Sequence, residues 1–184
     1  DLEKEVQERL GAPSSEGLIP MDKENANILF AGLSGAHSIV HPAVIFNAAK
    51  EDWTLSFFEA VNFGYFAGDS EKAEFIANRI INEAKRLNVK EVVIVECGTA
   101  YRIPKFLMGD LPFKVSSIVE VIHRYIKEGR IKIQEGVIDE TVTWHDPCQL
   151  GRNGGVYDEP REIISMLAKD FKEMSPTREY NWCC

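Results

Sequence analysis

Apolar residues recur along this chain in two alternating modes. Short unbroken runs, Ile28-Leu29-Phe30-Ala31-Gly32 and Val92-Val93-Ile94-Val95, read as strands buried on both faces. Between them Ala73, Ile76, Ala77, Ile80, Ile81, Ala84 and Leu87 are spaced by three and four, the pattern of an amphipathic helix, with Asp69-Ser70 as its N-cap. Ser117 and Glu120 make a capping box ahead of Ile118, Ile122, Tyr125 and Ile126, and Gly129 ends that helix. The pattern also predicts a helix from Pro42 to Ala49 with Pro42 in its first turn, and strands at Trp53-Thr54-Leu55 and Lys114-Val115-Ser116. A short helix from Tyr101 to Met108 is interrupted by Pro104, and Ile131 to Gln134 is extended. Thr141 to Trp144 reads as a strand that delivers His145-Asp146-Pro147-Cys148 into a loop. Pro160 opens a last helix with Ile163, Ile164, Leu167 and Phe171 on one face, and Glu173 onward is mostly loop.

Strands that alternate with helices predict an α/β domain with a largely parallel sheet covered on both faces. One apolar strand ends near Cys97 and another near Cys148, a faint internal echo. The carboxyl ends of strands frame the ligand crevice in open α/β sheets, so both cysteines are expected on one edge. Leu2, Val6 and Leu10, followed by Gly11 and a turn-rich stretch, predict a short helix in an arm over residues 1–25.

The chain has 184 residues, 45% of them apolar and 27% charged, an ordinary globular mixture. Net charge is −8, and Lys and Arg do not cluster, which argues against a nucleic-acid partner. No run approaches the roughly 18 apolar residues of a membrane span, and no secretory signal opens the chain. The cysteines therefore read as ligands or redox thiols in a cytoplasmic setting, not as structural disulfides. A first residue other than Met and a last residue inside a cysteine pair predict a piece of a longer chain.

There are four cysteines: Cys97, Cys148, Cys183 and Cys184. An adjacent pair needs irregular backbone to aim both thiols one way, and a metal or inorganic cluster supplies a reason for it. Cys148 lies in a Pro-Cys-Gln-Leu-Gly-Arg turn, and three glycines between Gly151 and Gly155 let backbone approach a bulky group. Amides aimed at sulfur from such a loop raise a cluster's reduction potential. Two readings stay open on residues alone: an iron–sulfur site, or a structural zinc site using Cys97, Cys148, Cys183 and Cys184. Tight Cys-x-x-Cys knuckles, usual for zinc, are missing.

A Pro-Cys at a strand-to-loop turn, then Cys183-Cys184 thirty-odd residues later, resembles the CCG cysteine-rich domain of the B-type heterodisulfide reductase polypeptide and its relatives. Glu59-Ala60-Val61-Asn62-Phe63-Gly64, Glu96 to Arg102 and His145 to Cys148 look most like the DsrK (HmeD) branch of sulfite-reductase-associated membrane complexes. The resemblance runs from about Ile28 to the end. It implies two pseudo-repeated Rossmann-like βα halves, a degenerate first repeat over about 26–113 and a truncated second over about 114–184, with a cluster pocket at the strand carboxyl ends. It implies a noncubane [4Fe–4S] cluster that handles disulfide or trisulfide bonds in one-electron steps. Cys148, Cys183 and Cys184 match the ligand positions of the second repeat. Cys97 stands alone where the first repeat would carry its closing motif, and Val61 to Phe63 replace that repeat's paired cysteines. The family's last Cys-x-x-Cys has no counterpart before Cys184, so the cluster is expected to be incomplete or absent on these residues alone. The implied partners are a small thiol-carrier protein of the DsrC kind as substrate and membrane-complex subunits. The same domain occurs in iron–sulfur subunits of glycolate and lactate oxidases, an alternative function.

His145, Arg102 and Arg152 are the candidates for proton and charge roles near these thiols. His123 reads as a solvent-edge residue. His37 and His41 are four apart, but Gly35 and Pro42 argue against one helix carrying both. Gly32-Leu33-Ser34-Gly35 reads as a tight turn, since it lacks the Gly-Lys-Ser/Thr of a phosphate loop.

Overall fold

The computed structural model describes residues 1–35, 37–58, 67–95 and 97–182. Glu59 to Gly64, Glu96, Cys183 and Cys184, on which part of the resemblance rests, lie outside these residues.

Four parallel strands form the main sheet: β1 (Ile28–Gly32), β2 (Trp53–Phe57), β3 (Glu91–Ile94) and β4 (Lys114–Ser117), in the order β2-β1-β3-β4. The α/β class with a parallel sheet is thus as the alternation of patterns predicts. β1 is buried along its whole length because its alternate residues enter different cores. Leu29 and Ala31 pack with α3 (Ser70–Arg86), while Ile28 and Phe30 pack with α2 (His37–Ala48) and α5 (Ile118–Lys127). The strand order reverses between β1 and β3, which opens a crevice at their carboxyl ends.

The helices begin where the sequence places their caps. Asp69 accepts the amide of Lys72 at 2.9 Å, and Ser117 and Glu120 make the reciprocal capping box. Two helices beside the main sheet differ from expectation. α2 starts at His37, so Pro42 lies inside it and both His37 and His41 share it. Pro42 forfeits only one ladder bond there, and it is itself buried. A short α4 (Gly98–Arg102) runs into a π-turn at Ile103–Leu107. Pro104 has no N–H for the carbonyl four residues back, and the ladder widens at that point.

α1 (Leu2–Leu10) ends at Gly11 and buries Val6 in the same core as Phe30, Ile39 and Phe46. The second half is smaller: β5 (Ile138–Val142), α6 (Asp158–Leu167) and β6 (Ala168–Phe171) form one parallel βαβ unit. Phe171 therefore sits on a strand and not on the expected helix face, since the helix stops at Leu167. Residues 131–134 form no strand. His123 and Lys127 on α5 both reach Glu162 on α6, at 2.8 and 2.7 Å, and join the halves. The bond from His123, and then that from Lys127, pulls the Glu162 carboxyl down to about 2. No helix among the described residues is long and apolar enough to cross a membrane.

Candidate functional site

Cys97 follows β3 by three residues and serves as the N-cap of α4, its sulfur accepting the amide of Ala100 at 3.4 Å. The loop that carries Cys148 lies directly against this helix start. A Cβ added to Gly98 would stand 2.7 Å from Gln149 Cβ and 3.2 Å from the Leu150 amide nitrogen. A Cβ on Gly154 would lie 2.3 Å from the Leu150 carbonyl oxygen and 2.8 Å from the Tyr101 ring. Both glycines are needed for this close approach of backbone to helix. Arg102 donates to Gln149 Oε1 at 3.2 Å across the same seam. The sequence-based expectation puts both cysteines on one sheet edge; their segments do meet at this seam, but they follow strands of two different sheets, β3 and β5.

The seam encloses a cavity of about 180 Å³ lined by Cys97, Tyr101, Ser117, Trp144 and Pro147, among others. Behind its wall Lys105 Nζ donates to Tyr101 Oη at 2.5 Å and pairs with Glu120 at 3.0 Å. Burial first, then the Glu120 carboxylate, holds the Tyr101 phenol far above its ordinary value, so it stays protonated.

Asp146 organises the loop before Cys148. It is 2% exposed and is gripped by Arg161 of α6 through two parallel bonds of 2.8 Å. Arg161 also holds Glu173 and Thr177, and the Arg178 amide donates to Asp146 at 2.8 Å. Burial pushes the Asp146 carboxyl up, but Arg161 and the Arg178 amide outweigh it and hold it below the usual range. The loop is thereby bolted to the segment leading into the terminal cysteines.

A second joint lies closer to those cysteines. The buried Asn181 donates from Nδ2 to the Asp146 carbonyl at 3.0 Å and to His145 Nδ1 at 3.1 Å. Arg152 donates to the carbonyls of Glu179, at 3.0 Å, and Asn181. So two of the three candidate proton and charge residues, His145 and Arg152, contact the tail, and Arg102 contacts the Cys148 loop. Cys183 and Cys184 lie just past Asn181, outside the described residues. Among the described residues no three His, Cys, Asp or Glu side chains converge as a metal site. His37 and His41 instead border a separate, largely apolar pocket of about 340 Å³, where Arg9 reaches His41 Nε2 at 3.3 Å.

Sequence reasoning did not single out Arg161, Asn181 or the buried nitrogen of Trp144. Arg161 has the spacing of an ordinary surface position on a helix, and nothing marks its partner fifteen residues earlier. An adjacent signal existed for Asn181, two residues from a cysteine pair that must be anchored.

An iron–sulfur cluster, which the resemblance implies, can be tested against these side chains. Trp144 Nε1 and His145 Nε2 are both buried and have no hydrogen-bond partner among the described residues. Trp144 also lines the cavity with Cys97. Buried donors without acceptors in a native site call for an electron-rich group to fill it. Thiolates and inorganic sulfides are such acceptors, so the donor set fits.

Residues 142–184 match the model of the CCG cysteine-rich domain. Over 120 residues the chain is 34% identical to the D-type polypeptide of the dihydromethanophenazine:CoB–CoM heterodisulfide reductase of Methanosarcina acetivorans, covering 58% of this chain and 29% of that one. It is 35% identical over 112 residues to a probable iron–sulfur-binding oxidoreductase, FadF, of Bacillus subtilis, covering 59% of this chain and 16% of that protein. An Hdr-like menaquinol oxidoreductase iron–sulfur subunit of Archaeoglobus profundus is 25% identical across 89% of this chain and 39% of its own length. The chain thus spans less than a third of the heterodisulfide reductase polypeptide that it matches. No solved structure matches it. Through residues 142–184 the chain carries the CCG cysteine-rich domain, and it is a relative of the iron–sulfur oxidoreductase subunits of heterodisulfide-reductase-like proteins.

Proposed function

We propose that this chain is the cysteine-rich part of an iron–sulfur oxidoreductase that reduces or forms sulfur–sulfur bonds. Cys148, Cys183 and Cys184 would hold a noncubane [4Fe–4S] cluster, with Cys97 at the wall of the same site. A four-iron cluster ordinarily takes about four protein thiolates, so the full ligand set includes any further cysteines of the whole protein. The observation that carries the reading is the joint at Asn181, which ties the tail two residues before Cys183 to the loop three residues before Cys148. The names of the relatives support the oxidoreductase class.

When bound, the cluster supplies single electrons and a Lewis-acidic iron for sulfur. The residues around it then have distinct tasks. Arg161 and Arg152 hold the loop and the tail together. Trp144 and His145 offer N–H donors to sulfur, and Arg102 at the seam supplies positive charge for a substrate carboxylate. Cleaving one S–S bond consumes two electrons and two protons and yields two thiols. The electrons would arrive from cubane clusters on a ferredoxin-like region beyond this chain. The substrate proposed is a disulfide or trisulfide on a small thiol-carrier protein of the DsrC kind, with the complex assembled at a membrane through partner subunits.

Anaerobic purification of the whole protein tests the proposal. A brown protein with about four iron and about four sulfide per chain is expected. A colourless protein holding one zinc and no sulfide overturns it. Reduction of a thiol-carrier trisulfide, against oxidation of glycolate or lactate, then separates the sulfur reaction from hydroxy-acid oxidation.

A further inference from the structure

The bonds around Asn181 determine which nitrogen of His145 carries the proton. Asn181 Nδ2 faces the Asp146 backbone carbonyl at 3.0 Å, and a carbonyl only accepts. Asn181 Oδ1 accepts the amide of Trp182 at 3.0 Å. Both ends of the amide therefore have partners of the right kind, and flipping it would break both bonds. Since Nδ2 only donates, His145 Nδ1, 3.1 Å away, must be the acceptor. The proton of the neutral ring is then on Nε2, which is buried without a hydrogen-bond partner among the described residues. A doubly protonated ring would set Nδ1–H against the Asn181 N–H, two donors face to face.

We infer that Asn181 is a positioning residue that fixes His145 as a neutral hydrogen-bond donor, through Nε2–H, to a sulfur anion formed at the site. This rests on the sulfur-chemistry reading and refines it. A neutral imidazole cannot give up its Nε2 proton readily, so His145 stabilises the departing thiolate and another group or water protonates it. A preorganised donor of this kind lowers the energy of developing charge without rearrangement. The same amide also anchors the tail at Asn181 to the loop at Asp146, so one side chain sets both the donor and the end of the described tail.

Nitrogen-15 histidine NMR of the full chain as purified reads the tautomer, with His145 assigned by its loss in H145Q. The expected spectrum has an unprotonated Nδ1 and a protonated Nε2. Asn181→Asp replaces the donor by an acceptor and should move the proton to Nδ1. A second variant, Asn181→Ala, should release the ring to exchange between both tautomers. Finding Nδ1 protonated in the unaltered protein, or the same tautomer in all three proteins, overturns the inference. Ring shifts report the hydrogen bond whichever metal the cysteines hold, so a zinc-containing protein would refute the redox reading without touching this result. In the cluster-loaded protein, Asn181→Asp should slow S–S cleavage about a hundredfold with KM little changed. An unchanged rate, with the tautomer moved, overturns the donor role.

Discussion

The two halves of this molecule are held by different physics. In the first, from β1 to α5, the central strands are buried on both faces and apolar side chains from α2, α3 and α5 fill the layers. In the second, β5 is largely exposed, and beyond Tyr125 only Val156 and Ala168 are buried hydrophobics among the described residues. Its fixed points are polar: Arg161 on Asp146 and Glu173, Arg152 on the tail carbonyls, Asn181 on the loop. Apolar burial stabilises by about 25 cal/mol per Å² without regard to direction. Ion pairs and hydrogen bonds contribute less net free energy but fix position. The sheet half is therefore a platform, and the half that carries Cys148 is a clamp whose geometry matters more than its stability.

Arg161 offers the sharpest test of that contrast. Arg161→Met leaves the Asp146 carboxylate buried without its partner, a loss of about 3–5 kcal/mol. The cost should fall on one half. Amide hydrogen exchange across residues 138–182 should accelerate by orders of magnitude, while β1 and β3 keep their protection. The double variant Asp146→Asn/Arg161→Met should regain much of the loss, because no charge is then stranded. Equal loss of protection in both halves would show that the clamp and the platform unfold as one unit, and the comparison would fail.

The seam between the halves is the next point to break. Gly154→Ala forces a methyl group to 2.3 Å from the Leu150 carbonyl and 2.8 Å from the Tyr101 ring. Tyr101 is almost fully buried and cannot move aside, so the loop must lift, at about 1–3 kcal/mol. The expected signature is faster alkylation of Cys97, whose cavity the loop closes. Gly35→Ala is the control, since its backbone is not left-handed and an added Cβ there meets only the His37 ring, at an ordinary contact distance of 3.7 Å. Alkylation at the parent rate in Gly154→Ala would mean that the loop does not cover the thiol.

The same contrast decides what could be read from the sequence. The platform was legible because its forces leave periodic marks. The three-and-four spacing of Ala73 to Leu87 gave α3, the runs at Ile28 and Val92 gave strands buried on both faces, and Ser117 with Glu120 gave the start of α5. Where propensity and packing disagreed, packing prevailed: α2 runs through Pro42 because its residues are buried against β1 and Trp53. The clamp left fewer marks. Cys148 and the terminal pair were visible as residue types at a telling spacing, and the loop after Cys148 announced itself by its glycines. The partners that position them were not visible, because Asp146 with Arg161 and His145 with Asn181 join residues fifteen and thirty-six apart without periodicity. Phe171 illustrates the limit. Its place on the helical stripe was plausible by spacing, but nothing in that pattern encodes the point at which α6 gives way to β6 after Leu167.

The smallest expected effect lies at the amino-terminal edge of the platform's strands, at Glu51, just before β2. Tyr125 donates to its carboxylate at 2.6 Å, Arg130 pairs with it at 2.7 Å, and Asn27 donates at 3.3 Å. Burial alone would raise this carboxyl, but the bonds from Tyr125 and Arg130 outweigh it and hold it below the ordinary value of 4.5. The unfolded chain then binds a proton more readily than the folded one. The stability from Glu51 is present above pH 4.5 and is lost as pH falls through the lower folded value. Glu51→Gln should cost about 1.5 kcal/mol at neutral pH, since a charged acceptor is replaced by a neutral one. It should also flatten the acid limb of a plot of unfolding free energy against pH. Glu91 is depressed in the same way, its burial outweighed by Arg124, so part of that limb must remain in the variant. The decisive quantity is the difference between the two curves: it should shrink as pH drops, and it should appear in the exchange of β1 and α5 amides but not in residues 138–182. A difference that is constant with pH would mean that Glu51 stabilises the platform by packing alone.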